Sequence, residues 1–286
     1  MIIVTWNIQW CKGCDDVVDP RRIVDTARAL GDFDVLCLQE VADNFPELVG
    51  SAGENQFRLL ADLLPGFEAV EGVAVDRLGP NGRRQRFGNL MLSRLPVLSV
   101  WRHLLPWPVD PATPGMQRIA LEAVLGTDAG PLRVTTTHLE YFSAIQREAQ
   151  VKRLLALQAE ACAHAPDALS WRGKPGPFQP QPRPPSGILT ADFNFRVEDP
   201  LYARIQSEHR DPHVPPYRDA WAIAHPGVEH AATLGIHDRK QWKESYACDF
   251  LFVTEDLASR VRTVRVDQQT DASDHQPVLL ELAARH

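Results

Sequence analysis

A series of short apolar runs in this chain stop at an acid, an amide or a histidine. Residues 1–7 end at Asn7, residues 35–40 at Glu40 and residues 132–138 at His138. Residues 187–194 carry Asp192 and Asn194, residues 247–253 carry Asp249, and Ser273-Asp274-His275 precedes an apolar run that finishes at 282. Runs this short, rich in β-branched residues, read as buried strands. A polar group at the end of a buried strand costs burial and adds little core, so packing does not explain the repetition. Strands that end this way build a site at a sheet edge.

The remaining chain supplies further strands and a few helices. Asp19-Pro20 gives an N-cap and a first-turn proline to a helix with Ile23, Val24, Ala27 and Leu30 on one face, stopped at Gly31. Residues 56–64 repeat the helical pattern up to Pro65-Gly66, and strands are predicted at 33–39, 67–75, 89–92, 97–103, 118–125 and 132–137. The longest helix is expected over 145–164, with Ala149, Leu155 and Cys162 on one side and Gln146, Glu148, Lys152 and Glu160 on the other. Seven prolines between Pro166 and Pro185 mark an exposed insertion loop over 165–187. A strand at 188–191, a short helix near 201–207, a polar stretch and strands at 249–253, 261–267 and 278–282 close the chain. At 286 residues and 44% hydrophobic composition, one domain spanning 1–286 is expected.

The formal net charge of −7 is the wrong sign for a non-specific nucleic-acid binder, whose affinity comes mostly from lysine and arginine. The densest basic cluster, Arg83-Arg84-Gln85-Arg86, follows a Gly79-Pro80-Asn81-Gly82 turn and reads as a solvated loop before it reads as a nucleic-acid footprint. Five cysteines, an odd number, argue against a disulfide framework. Cys11 and Cys14 have the spacing of half a zinc site, but no second half follows. No run of eighteen or more apolar residues spans a membrane, and residue 2 already enters a strand without a charged leader. A cytoplasmic location, with no membrane segment and no obligate protein partner, is the expectation.

In order, Asn7, Gln39-Glu40, Thr136-Thr137-His138-Leu139, Asp192-Phe193-Asn194, Asp249-Phe250-Leu251-Phe252 and Ser273-Asp274-His275 form a pattern far more specific than any piece alone. From Met1 to about residue 282 it resembles the endonuclease/exonuclease/phosphatase superfamily of deoxyribonuclease-I-like, Mg²⁺-dependent phosphoesterases. The resemblance implies an α+β fold, a four-layer α/β/β/α sandwich of two mostly antiparallel sheets flanked by helices. It also implies that His275 pairs with Asp249, that Arg118 sits beside the scissile phosphate, against an equal reading as a salt-bridged strand-end arginine, and that Asn89 opens a strand and shapes the site through hydrogen bonds, a weaker substrate-phosphate candidate beside Arg118. At Gln9 the chain departs from relatives that carry an acid or an arginine there, which leaves the metal shell open.

The residues themselves suit metal-assisted hydrolysis. A carboxylate such as Glu40 at the mouth of a buried strand is stabilised by a hard divalent cation, Mg²⁺ with Mn²⁺ as substitute, with Asn7 and Asp274 as neighbours directly or through water. Such a cation takes few protein ligands and keeps positions for water and phosphate. Asp192 is placed to orient and deprotonate the attacking water and Asn194 to hold phosphate or nucleophile, although Asp-x-Asn is equally the spelling of an Asx-turn. His275, as an imidazolium, would stabilise the charge of a phosphorane, and His138 would act as second phosphate donor or as acid near the leaving oxygen. Trp101, Trp107 and Trp171 are candidates to line the cleft, against a plainer reading as packed residues. No Gly-x-Ser-x-Gly elbow, P-loop or His-Glu-x-x-His helix is present. The expected function is hydrolysis of a phosphate ester, phosphodiesterase or nuclease in preference to monoesterase, with nucleic acid among the candidate substrates. The alternatives are a lipid or small-molecule phosphatase of the same fold and a non-catalytic binder of phosphorylated ligands.

Overall fold

The computed structural model describes residues 1–80, 82–164, 175–179, 181 and 183–284. Trp171 and most of the proline-rich loop expected over 165–187 lie outside the described residues. Among the described residues twelve strands form: β1 Ile2–Asn7, β2 Val35–Asp43, β3 Glu68–Leu78, β4 Arg84–Ser93, β5 Val97–Leu104, β6 Ile119–Thr127, β7 Gly130–His138, β8 Gly187–Asp192, β9 Tyr217–Asp219, β10 Asp249–Thr254, β11 Val261–Val266 and β12 Val278–Leu282. They make two six-stranded sheets, ordered β11-β12-β1-β2-β4-β3 and β5-β6-β7-β8-β10-β9. Each sheet is antiparallel except for one central parallel pair, β1 with β2 and β7 with β8. Parallel neighbours need a crossover. Helices α1 (Pro20–Leu30) and α3 (Ala144–Ala163) lie on those two crossovers.

Alternation along the strands sorts the side chains into layers. Ile3, Cys37 and Met91 of the first sheet meet Leu121, Val134, Ile188 and Leu251 of the second in one inner core. Val4, Leu36 and Leu38 point the other way, onto Ile23, Val24 and Ala27 of α1 and Phe57 and Leu60 of α2 (Gln56–Asp62). On the far side, Leu189, Phe250 and Phe252 meet Leu154 and Leu157 of α3 and Ile205 of α4 (Pro200–Ile205). The α+β, four-layer sandwich expected from the sequence is the fold observed. No helix among the described residues is long and apolar enough to cross a membrane.

Local signals set the helix ends. The Asp19 carboxylate accepts from the backbone N–H groups of Arg21 and Arg22, with Pro20 at the first position, and Ser143 caps α3 through the N–H of Gln146. The face expected for α3 is corrected. Its buried residues include Gln146, Gln150 and Gln158 beside Val151, Leu154, Leu157 and Ala161, while Ala149, Leu155 and Cys162 are only half-buried. The amides are inside because they donate to loop carbonyls: Gln146 to Pro108 at 2.9 Å, Gln150 to Pro106 at 3.3 Å and Gln158 to Pro185 at 3.0 Å. A buried carbonyl without a donor is costly, so each glutamine is fixed by the loop it satisfies.

Three further expectations resolve plainly. Arg84 and Arg86 pair with Asp76, Asp43 and Glu71, but they stand on β4 with buried Gln85 between them, so the expected solvated loop is corrected to a strand of ion-paired arginines. Cys11 and Cys14 are free thiols. Trp101 lies under the Arg183 guanidinium at 5.3 Å, and Arg183 in turn reaches the buried Glu122 at 2.7 Å, so this tryptophan anchors the C-terminal end of the proline-rich stretch.

Candidate active site

The parallel pairs of the two sheets bring their C-terminal ends together. Asn7 ends β1 opposite Gln39 of β2, and His138 ends β7 opposite Asp192 of β8. Asp249 opens β10 in register with Asp192, and Asp274-His275 lies just ahead of β12. Glu40 does not end its strand, as the sequence suggested. β2 continues to Asp43 across a bulge in which Gln39 and Glu40 oppose the single residue Asn89, and Glu40 has a φ of 61°. A bulge re-aims one side chain without ending the pairing, here turning a carboxylate out of the ladder. Asn89 holds the other side by donating to the Ile119 carbonyl at 3.1 Å. Gly88 beside it is fixed by space, since a Cβ there would lie 2.1 Å from the Gly72 carbonyl oxygen.

One hydrogen-bonded cluster links the sheets. Asn7 Nδ2 donates to Glu40 Oε1 at 3.1 Å and to Asp192 Oδ2 at 2.9 Å, while its Oδ1 accepts from the Gln9 N–H at 3.1 Å. The same Asp192 Oδ2 lies 3.4 Å from His138 Nε2 and 3.7 Å from His275 Nε2. His275 Nδ1 meets Asp249 Oδ2 at 2.9 Å, and the Thr233 hydroxyl donates to that oxygen at 2.6 Å. The expected His275–Asp249 pair is thus present. Asp192 Oδ1 accepts from the Asn194 N–H at 3.0 Å, the Asx-turn, and Asn194 Nδ2 donates to the Leu139 carbonyl at 2.9 Å. Arg118 Nε pairs with buried Glu140 at 3.2 Å, yet its buried Nη1 has no hydrogen-bond partner among the described residues.

Burial and charge give these groups different protonation tendencies. Burial pushes Asp192 up to about 6, against the pull of His275. Burial and then the charge of Asp274 push Glu40 up to about 7. His275 is opposed by burial, but the carboxylates of Asp249 and Asp192 overcome it and hold the imidazole well above its ordinary range. His138, buried and facing Arg118 and His275, is pushed well below that range. At neutral pH the two histidines therefore differ: His275 is the cation and His138 the neutral ring.

These groups floor a cleft of ≈ 480 Å³ that Gln9, Glu40, Arg118, Asn194 and Asp274 also line. Asn89 and Asp249 stand behind it, outside its lining. Among the described residues the tryptophans of the cleft are Trp10 and Trp242, not Trp101 or Trp107. Sequence reasoning passed over Thr233, Gln241 and Trp242, all in a polar stretch without periodicity. Trp242 Nε1 donates to Asp274 Oδ2 at 3.0 Å and Gln9 Nε2 donates to the same oxygen at 3.1 Å.

Two donor sets bear on a metal ion. Glu40 and Asp274 offer carboxylate oxygens in the cleft, and the repulsion that raises Glu40 is what a divalent cation would relieve, so they fit a hard ion such as Mg²⁺. Asn7 presents nitrogen to Glu40 and Asp192, which suits it to hold the carboxylates and not to ligate. Among the described residues, Asp192, Cys248 and His275 bring their ligand atoms within 4.8 Å of one another. That set is atypical for Mg²⁺: it includes a fully buried thiol that burial keeps protonated, and thiolate selects softer ions. Cys248→Ser should accordingly leave Mg²⁺-stimulated turnover within about threefold of wild type, measured on a chromogenic phosphodiester; loss of the Mg²⁺ response would place the ion at the thiol.

No curated protein matches the sequence. Among solved structures, an endonuclease/exonuclease/phosphatase from Beutenbergia cavernae DSM 12333 is 22% identical, aligned over 99% of this chain and 72% of its own with a TM-score of 0.67. A mannosyl-6-phosphatase from Bacteroides thetaiotaomicron VPI-5482 is 17% identical over 99% and 100% of the two chains, with a TM-score of 0.66. D. rerio TDP2 complexed with a single strand DNA product is 17% identical over 99% of each chain, with a TM-score of 0.65. At these identities the structures establish a shared fold. The sequence model of the Endonuclease/Exonuclease/phosphatase family matches residues 4–275, a span that includes every strand-end residue from Asn7 to His275. This chain belongs to the endonuclease/exonuclease/phosphatase family.

Proposed function

We propose that the protein is a metal-dependent phosphoesterase that cleaves its substrate by in-line attack of an activated water, with phosphodiesters, nucleic acid among them, favoured over monoesters. The observation that carries this reading is Asp192: a buried carboxylate raised to about 6, held by Asn7 and flanked by two histidines of opposite charge tendency. A base with a pKa near the working pH is the efficient kind, so Asp192 orients the water and takes its proton. His275, kept protonated by Asp249, stabilises negative charge on the phosphorane oxygens. Neutral His138 and the free Nη1 of Arg118 bind the remaining phosphate oxygens, and Asn194 fixes the Asp192 turn. Glu40 and Asp274 would hold Mg²⁺, or Mn²⁺ in its place, which when bound polarises the phosphoryl oxygen. Turnover with Mg²⁺ against EDTA on single-stranded DNA, abasic duplex DNA, RNA, bis-p-nitrophenyl phosphate and p-nitrophenyl phosphate tests the reading. Metal-dependent cleavage of at least one is expected, and silence on all five would overturn it.

Protons and the cation compete for the same oxygens. Glu40 has a pKa near 7 in the folded chain against an ordinary value of 4.5, so without metal its contribution to stability is complete below the lower figure and is lost as pH rises through the higher. A cation binds the deprotonated form and reverses that loss. The rise in Tm on adding Mg²⁺ to EDTA-treated protein should therefore grow from pH 5 to pH 8. Thermal melts across that range, with and without the ion, measure it; an increment that is flat or shrinks with pH would argue against carboxylate ligation.

A further inference from the structure

The walls of the cleft differ from its floor. On the side of the first sheet, Phe45 and Phe87 meet edge to face at 6.0 Å, with the Arg77 guanidinium 5.4 Å above Phe45. On the side of the second, Tyr141 packs edge to face with Phe142 at 4.9 Å and with Trp242 at 5.8 Å. Tyr141 and Phe142 follow His138 by three and four residues and remain 41% and 57% exposed. Large aromatic side chains left open at the rim of an acidic floor are costly unless something covers them.

The charges restrict what that can be. Among the described residues the cleft is lined by the carboxylates of Glu40, Asp192 and Asp274, by Arg77 and Arg118, and by the imidazoles of His138 and His275, in a chain of net charge −7. Arg77 is already bonded to Gln85 at 3.0 Å and Arg118 to Glu140. One phosphate is accommodated, but a long phosphate track is not. Flat rings are what aromatic walls bind well, because stacking needs only an exposed π-face, and a base inside a duplex does not offer one.

Resting on the phosphoesterase reading, we propose that the cleft selects phosphate esters in which the group retained on phosphorus carries an unstacked planar aromatic ring, held by Tyr141 and Phe142 on one wall or by Phe45 and Phe87 on the other. Such a ring is supplied by an aryl ester or by the base of an unpaired nucleotide. His138, His275 and Arg118 at the floor take the phosphate while the aromatic walls set specificity, and paired DNA is excluded. Because rings are offered from both sheets, a diester with a group on each side of the phosphorus fits better than a monoester.

The test keeps the leaving group constant and varies the retained group. Methyl, phenyl, octyl and thymidine 5′ esters of p-nitrophenyl phosphate are compared on wild type, Tyr141→Ala, Phe142→Ala and Phe45→Ala. The phenyl or the thymidine ester should exceed the methyl ester by about tenfold or more in kcat/KM, mainly through KM. At least one alanine variant should remove that preference while leaving the methyl ester unchanged; which ester leads identifies the source of the ring. Equal use of the methyl ester, preference for the octyl ester, or alanine variants that keep the preference would overturn the aromatic subsite while the hydrolase stands. Equilibrium binding of diphenyl against dimethyl phosphate to Asp192→Asn separates the two claims. If no ester is turned over but diphenyl phosphate binds and its affinity falls in the alanine variants, the hydrolase reading fails and the subsite survives; no binding and no turnover end both.

Discussion

Replacing Asp192 by asparagine should lower Mg²⁺-dependent phosphodiester turnover by a factor of about 10³, the middle of the range for a positioned general base. The shape of the side chain is kept, and its oxygen can still accept from the Asn7 amide, so the cluster remains assembled. What is lost is the ability to take a proton. The same substitution removes a desolvated charge, since Asp192 is 1% exposed and burial is the main reason its pKa rises. Stability should therefore stay within about 1 kcal/mol of wild type or increase, the pattern of a group kept for chemistry at the expense of the fold. Single-turnover kinetics beside a thermal melt decide it. A variant retaining a tenth or more of wild-type kcat would remove Asp192 from the role of base.

Glu40→Gln should act on the cation instead. The glutamine oxygen can accept from Asn7 in the same bulge, but the site loses the carboxylate that faces Asp274. Calorimetric titration should show Mg²⁺ affinity falling by about tenfold or more, and kcat/KM at low Mg²⁺ by about 10³, in line with the several kcal/mol that a polarising metal supplies. Raising the Mg²⁺ concentration should recover part of the loss for Glu40→Gln and none of it for Asp192→Asn. That contrast separates ligand from base without a bound ion in view. Unchanged Mg²⁺ affinity in Glu40→Gln would contradict the assignment and direct attention to Asp192, Cys248 and His275.

The site residues were legible because each stands at the end, at the start or just ahead of an apolar run, and because parallel strands put their ends at one edge of a sheet. α1 was legible from its cap, its first-turn proline and its terminal glycine. Two local features were hidden. A non-glycine residue at positive φ has no spelling, so the bulge at Glu40 and the continuation of β2 to Asp43 could not be read. Nor does a glutamine announce that a distant proline-bearing loop needs its amide, which is why the buried face of α3 was assigned to the wrong residues. The short β9 and α5 (Ala220–Ala224), set in a polar stretch, and Thr233 beside them depend on tertiary contacts. Tyr141-Phe142, by contrast, stood in plain view just past His138 and had no partner in the sequence to give the pair a meaning.

The Asn7 amide bridges a glutamate on one sheet and an aspartate on the other. Neither half of the sandwich, however well formed, contains a working centre, and no short segment does either. On the proposed mechanism, catalysis would therefore be a property of the docked state alone. In a chain whose inner core has loosened while both sheets persist, circular dichroism would change little, yet turnover would already be gone. The proposed activity would thus report on the packing between the sheets more directly than any measure of secondary structure, and should fail first when that packing gives way.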